Sequence, residues 1–213
     1  MPAVPLPYTR RMPVWLALVG AYVVGSIDFA VVVARSRGVD IHSVGSGNPG
    51  TSNVLRTLGR LPAVMVLVGD TVKGIIGTSF GFLAAASTVT ALSPIDEPLV
   101  YAAGFAAVLG HVYPAFHKFR GGKGVATGGG VILFALGPVA LVLPVVWVVL
   151  ARLFKVAAVA SLVVVIASLP LAFALGARGW SLGWLGLTLV LIVWRHRPNI
   201  KRMIEGSEQK VPT

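Results

Sequence analysis

Three short segments bring together residue types that can hold an anion. The first reads GSGNPGTSNVLR, residues 45–56. Glycines let backbone N–H groups approach a ligand closely, and hydroxyls and amides add neutral donors. Arg56 supplies a planar fork matched to phosphate oxygens. Gly45, Gly47 and Gly50 also satisfy the G-x-G-x-x-G spacing. That fingerprint acts only between a strand and a helix of a βαβ unit. Here it follows a long apolar run, and Asp70, where the acidic partner would fall, lies inside the next one. Dinucleotide binding is therefore excluded. A flexible loop whose arginine faces lipid headgroups is the other reading of this segment alone.

The second segment is HKFRGGKGVATGGG, residues 117–130. Lys123 stands between Gly122 and Gly124, just before an apolar run. A helix beginning there points its positive dipole end at the same place. His117 occupies the position of the first glycine in G-x-x-x-x-G-K-[ST], so the nucleotide-hydrolysing loop is not present. The other reading is a positively charged anchor whose glycines permit close helix packing. In the third segment, WRHRPNIKRMIEG (194–206), His196 and Asn199 share a face if the helix continues, whereas Pro198 kinks or ends it. A juxtamembrane basic cluster alone reads as a lipid-headgroup anchor. His196 adds a side chain suited to proton transfer or phosphate contact.

Other ionisable groups fall within apolar runs: Asp28, Asp70, Lys73 and His111. At membrane depth such groups are costly and face the interior of a bundle. Asp70 and Lys73, three residues apart, can pair on one helix face. No clustered carboxylates or repeated His/Glu spacing marks a metal site, and no metal or cofactor is expected. The absence of cysteine excludes disulfides, zinc-thiolate sites and thiol nucleophiles.

These residues need elements to position them. The 213-residue chain is 56% hydrophobic and 12% charged, against roughly 45–50% and about 25% in soluble domains. Crossing a hydrocarbon core takes about 20 apolar residues. Candidate spans are 14–34, 61–86, 99–116, 156–176 and 180–195. The first continues to Ala34 without an A-x-A cleavage site, so it reads as a span rather than a signal peptide. As one helix, 125–154 would run about 45 Å, and Gly137-Pro138 is a strong turn signal within it. Splitting it into 125–136 and 138–154 predicts an all-α polytopic membrane bundle of seven transmembrane helices.

Charge orients the bundle. With the N-terminus outside, loops 35–60, 117–124 and 152–155 share a side with the C-terminal tail and carry most of the 18 Lys and Arg residues. The other side keeps Arg10, Arg11 and Arg178, with Asp96 and Glu97. The positive-inside rule makes the basic side, and the C-terminus, cytoplasmic. Six spans would place the basic tail outside. A net charge of +11 with no segment resembling a soluble reading domain argues against nucleic acid and for phosphate-bearing small molecules or lipid.

Taken together and in order, SGNPGTSNVLR, HVYPAFHKFRGGKGVAT and RHRPNIKR resemble the acyl-phosphate:glycerol-3-phosphate acyltransferase family (PlsY). GSIDFA (25–30) and the D-x-x-K-G of Asp70 to Gly74 are similar too, so the resemblance runs from about residue 20 to 205. It implies a multi-pass enzyme of the bacterial inner membrane with its site on the cytoplasmic face. It further implies acyl transfer from acyl phosphate to the 1-hydroxyl of glycerol 3-phosphate, giving lysophosphatidate and inorganic phosphate. By position it implicates Ser46, Gly47, Asn48, Asn53 and Arg56, then Gly121, Gly122, Lys123 and Gly124, then His196 and Asn199. Ser46, His196 and Asn199 are the expected catalytic set; Ser46 and the residues of the first two segments are expected to bind phosphate. Two departures stand out. The family usually has proline at Asp28 and Ala-Thr at Thr51-Ser52. One acyltransferase domain over 1–213 is expected, with 1–12 and 206–213 as flexible tails.

The chemistry is consistent with these residues. Acyl phosphate is an activated donor, so an enzyme mainly positions the hydroxyl and stabilises charge on the leaving phosphate and carbonyl oxygen. With no cysteine and no Ser-His-Asp motif, direct transfer is expected. Lys123, Arg56 and Ser46 would clamp phosphate while His196 and Asn199 orient or polarise. The phosphate of glycerol 3-phosphate can take the hydroxyl proton, so no protein base is required. The rival reading is a transporter or exchanger of organic phosphates, which needs polar groups along a route through the bilayer. Spans four to seven carry almost none. A scaffold without catalysis leaves the glycines beside Lys123 unexplained.

Overall fold

The computed structural model describes residues 12–86 and 93–211. Arg10, Arg11 and most of the expected N-terminal tail lie outside the described residues, as do 212–213. The described chain is all-α. Its helices are α1 (Val14–Gly25), α2 (Phe29–Arg35), α3 (Thr51–Leu58), α4 (Arg60–Ala86), α5 (Pro98–Val112), α6 (Val125–Leu136), α7 (Val142–Phe154), α8 (Ala157–Ala174), α9 (Gly179–Arg195) and α10 (Arg197–Ile204). Five apolar helical stretches among the described residues are long enough to cross a membrane, and α9 is a shorter apolar helix.

The first expected span is two helices. The chain leaves α1 at Ser26 and re-enters helix at Phe29, where the Asp28 carboxylate accepts the Val31 N–H at 3.1 Å and caps α2. Apolar residues on both sides hide this break in the sequence.

The stretch 125–154 breaks at the expected dipeptide. Gly137 ends α6, and a 3-10 turn over Gly137–Leu141 leads into α7. Both flanks lie at one end of the bundle. Arg195 at the end of α9 donates to the carbonyls of Gly121 and Gly122, and the Lys155 carbonyl accepts the N–H of Val211 in the C-terminal segment. The middle packs at the other end, where Leu136 and Ala140 join Tyr101, Ala177 and Leu185. There the Asp96 carboxylate accepts the Arg178 N–H at 2.7 Å. The stretch therefore leaves the basic end of the bundle and returns to it.

Apolar burial cannot drive helices together in lipid, because lipid tails are as apolar as leucine; close backbone approach does that work. Accordingly α4 and α6 touch through small residues, Gly74 against the Thr127 carbonyl and Gly130 against that of Thr71. The periphery is the reverse. Helix α7 buries only Ala151 and presents Val145, Val149 and Leu153 outward, as a lipid-facing helix does.

Candidate active site

The first segment is folded around one side chain. Asn53, 1% exposed in α3, accepts the Ser46 N–H at 2.9 Å and donates to the carbonyls of Val44 at 3.0 Å and Ile41 at 3.4 Å. Both amide donors are spent on the loop backbone, leaving none for a phosphate oxygen. Asn53 thus staples the loop in this structure. Ser46 is exposed and Asn48 and Gly47 half-exposed on the loop, where the Ser46 hydroxyl accepts the Asn48 N–H at 3.4 Å. Arg56, in the last turn of α3, has a buried Nε without a hydrogen-bond partner among the described residues.

The second segment is stitched to two helices. The N–H groups of Gly121 and Gly122 donate to the carbonyls of Val112 and His111, both at 3.2 Å. Arg195 holds the opposite side, its guanidinium donating to Gly121 O at 3.0 Å and Gly122 O at 3.3 Å. Gly124 precedes α6 with φ of 87°, a left-handed conformation that glycine adopts without cost. This fixes Lys123 at the start of α6, half-exposed between buried glycines. Burial is the main reason its ammonium titrates low, at about 8. Glu208 opposes the shift, while Arg202, Arg56 and Arg195 add to it.

The third segment turns a corner. His196 ends α9 and begins α10, and Pro198 sits in the first turn of α10, where its missing N–H costs nothing. His196, 2% exposed, has Nδ1 2.8 Å from the Ile192 carbonyl. A carbonyl can only accept, so Nδ1 carries the hydrogen and Nε2 is the acceptor of the neutral ring. Burial, with Lys123 nearby, lowers its pKa to about 4, against the Ile192 hydrogen bond. Asn199 donates Nδ2 to Glu208 Oε1 at 2.7 Å, which orients its amide. Its Oδ1 is buried without a partner among the described residues.

Lys123 lies in the electrostatic field of Arg56, Arg195, Arg202 and Glu208; Arg56 in that of Glu208 and Arg202; His196 in that of Lys123, Glu208 and Arg195. The three segments therefore meet at one basic end. Among the described residues no hydrogen bond ties the Ser46 or Asn48 side chains to Lys123 or His196.

Two residues of this centre carry no motif signal. Glu208 falls within the stretch 206–213 read as a tail, yet its carboxylate joins Asn199 and, at 2.7 Å, Arg202. Arg195 reads as a headgroup anchor and instead clamps the glycine loop. The only sequence sign of Glu208 is that it is one of seven acidic residues and stands in a basic tail.

Comparison with known proteins places the chain in a family. The family model described as Glycerol-3-phosphate acyltransferase matches residues 15–206. A glycerol-3-phosphate acyltransferase of Methylococcus capsulatus is 41% identical over 94% of this chain and 98% of its own. One of Burkholderia pseudomallei is 39% identical over 94% and 96%. The crystal structure of PlsY (YgiH), an integral membrane glycerol 3-phosphate acyltransferase, in its glycerol 3-phosphate form superposes with a TM-score of 0.84 at 36% identity, covering 94% of this chain and 96% of that one. Its lysophosphatidic acid form gives 0.82 at the same identity and coverage. From these matches and the fold, the chain belongs to the glycerol-3-phosphate acyltransferase family.

Proposed function

We propose that the chain transfers a fatty acyl group from acyl phosphate to the 1-hydroxyl of glycerol 3-phosphate, releasing lysophosphatidate and inorganic phosphate. The observation that carries this reading is the pairing of donors and acceptors at the basic end. Arg56 and Lys123, with the glycine-rich backbone at the start of α6, offer cationic and N–H donors for phosphate. His196 Nε2 and Asn199 Oδ1 offer acceptors for the O–H groups of a polyol.

In the reaction the 1-hydroxyl oxygen attacks the acyl carbonyl carbon, and the bond from that carbon to the phosphate oxygen breaks. The leaving phosphate keeps the electron pair. His196 and Asn199 orient the attacking hydroxyl. A ring whose conjugate acid has a pKa of about 4 is a weak base, which favours the substrate phosphate as proton acceptor. Ser46 and Asn48, with Gly47, are assigned to the outer rim of the phosphate site; Asn53 shapes that rim through the loop.

The same reading sets the bundle in a bacterial inner membrane with seven crossings, the N-terminus outside and the site cytoplasmic. The return of 125–154 to the basic end and the grouping of basic loops there support it.

Purified protein in detergent or nanodiscs should release phosphate from acyl phosphate only when glycerol 3-phosphate is present. No release, together with glycerol 3-phosphate uptake into proteoliposomes, would replace the enzyme by a transporter.

A further inference from the structure

Beneath the glycine loop lies a second polar cluster that the reaction does not use. Asp28 at the α1–α2 break, Asp70 and Lys73 on α4 and His111 on α5 are each no more than 5% exposed. Lys73 Nζ is 2.8 Å from Asp70 Oδ1 and donates to the Ile27 carbonyl at 2.6 Å, tying α4 to the break in the first span. His111 Nδ1 stands 3.5 Å from the same Asp70 oxygen. Asp28 spends Oδ1 on the α2 cap; Oδ2 stays buried without a hydrogen-bond partner among the described residues, in the field of His111, Asp70 and Lys73.

Such a set is costly inside a membrane bundle unless its charges offset one another. Its geometry shows what it supports. The His111 carbonyl accepts the Gly122 N–H. A Cβ on Gly122 would collide with His111 Nε2 and with the Pro49 carbonyl. The imidazole thus fills the space between Asp70 and Gly122, directly under the residue before Lys123, while Arg195 closes the loop from α9.

We infer that His111, held by Asp70 with Lys73 and Asp28, is a positioning residue that sets the height of the Gly121–Lys123 loop and so the reach of Lys123 toward phosphate. This inference rests on the acyltransferase reading. Asp70 faces the imidazole from α4, Lys73 holds that carboxylate in place, and Asp28 adds its charge from the α1–α2 break. The charged groups around the loop are then Asp28 from the α1–α2 break, Asp70 and Lys73 from α4, Lys123 itself, Arg56 from α3, Arg195 from α9, Arg202 from α10 and Glu208 beyond it.

The test uses full-length protein in detergent. Wild-type turnover is measured first; its absence sinks the acyltransferase reading, and calorimetric binding of glycerol 3-phosphate to wild type and His111→Ala then decides this one. With turnover present, His111→Ala should raise KM for glycerol 3-phosphate about 10-fold and weaken its calorimetric binding equally, with kcat within about twofold. This corresponds to about one ligand hydrogen bond to a charged group. Because a loop that sinks into the vacated space buries Lys123 further, the alkaline limb of kcat/KM should also move down from near pH 8. His111→Asn, which keeps a donor toward Asp70, should recover most of the loss. If His111→Ala does not fold, Asp70→Asn carries the same expectations with His111 in place. Unchanged KM, binding and limb in a folded variant, or a loss confined to yield and thermal stability, would overturn the inference.

Discussion

The Glu208 carboxylate accepts one hydrogen bond from Asn199 Nδ2 and another from Arg202 Nε, both at 2.7 Å. It thereby fixes which end of the Asn199 amide faces the site and places a negative charge among the cations around Lys123.

Glu208→Gln should therefore act twice. It keeps an oxygen for Asn199 but sets an NH2 against Arg202, and the pair can settle with either amide reversed. Loss of one charge-assisted hydrogen bond, about 1.5 kcal/mol, predicts a fall in kcat/KM of roughly 10-fold. Since Glu208 holds the Lys123 pKa up, its removal should also shift the alkaline limb of kcat/KM to lower pH. A pH profile of the variant checks both.

Lys123 predicts the wild-type profile. Its charged form is lost as pH rises through about 8, so kcat/KM for glycerol 3-phosphate should decline above that value, because this parameter reports groups of the free enzyme. Lys123→Arg, which stays cationic throughout, should lower activity but remove the decline. A limb near pH 8 that survives in Lys123→Arg would belong to another group.

His196 predicts a profile without a limb near 6.5, since its pKa is lowered to about 4. The sign for stability follows: the unfolded state binds a proton below about 6.5 and the folded state does not until about 4. Stability should thus fall between those values as pH drops, by up to roughly 2 kcal/mol at pH 5. Thermal unfolding of wild type against His196→Asn at pH 7 and 5 measures the difference. Nitrogen NMR should find the hydrogen on Nδ1. His196→Ala should lower kcat about 100-fold, the scale of one positioned catalytic group.

Asn53→Ala removes the staple of the first loop. Three hydrogen bonds go, leaving the Ser46 N–H and the Val44 and Ile41 carbonyls to find water. The expected cost is about 2–3 kcal/mol, read as a lower unfolding temperature, with a raised KM for glycerol 3-phosphate. Asn53→Asp retains the acceptor for Ser46 but sets a buried carboxylate oxygen against the Val44 and Ile41 carbonyls, and should destabilise at least as much.

What the sequence discloses and what it hides divide along physical lines. Lys123 between glycines is legible because the reason for those glycines is local: a positive φ at Gly124 and a close approach at Gly122. The break within 125–154 is legible because Gly137-Pro138 marks it. The break at Ser26–Asp28 is not, since the residues on both sides are as apolar as an unbroken span and the cap is a single side chain. The pairing of Asp70 with Lys73 is visible as helical spacing, whereas Lys73 reaching Ile27 depends on how α4 crosses α1. Arg195 and Glu208 escape for the same reason: their partners, at Gly121–Gly122 and Asn199–Arg202, follow from packing rather than from any spacing or motif.

The clamp of Arg195 on Gly121 and Gly122 also has a meaning for biosynthesis. During translation the glycine loop emerges long before α9 and the tail bearing Glu208, so the nascent chain inserts most of its helices with that loop unclamped. A ribosome that stalls before Arg195 leaves a membrane-embedded chain whose glycine loop lacks its clamp from α9. The glycine loop can be held from both sides only after Arg195 has been synthesised.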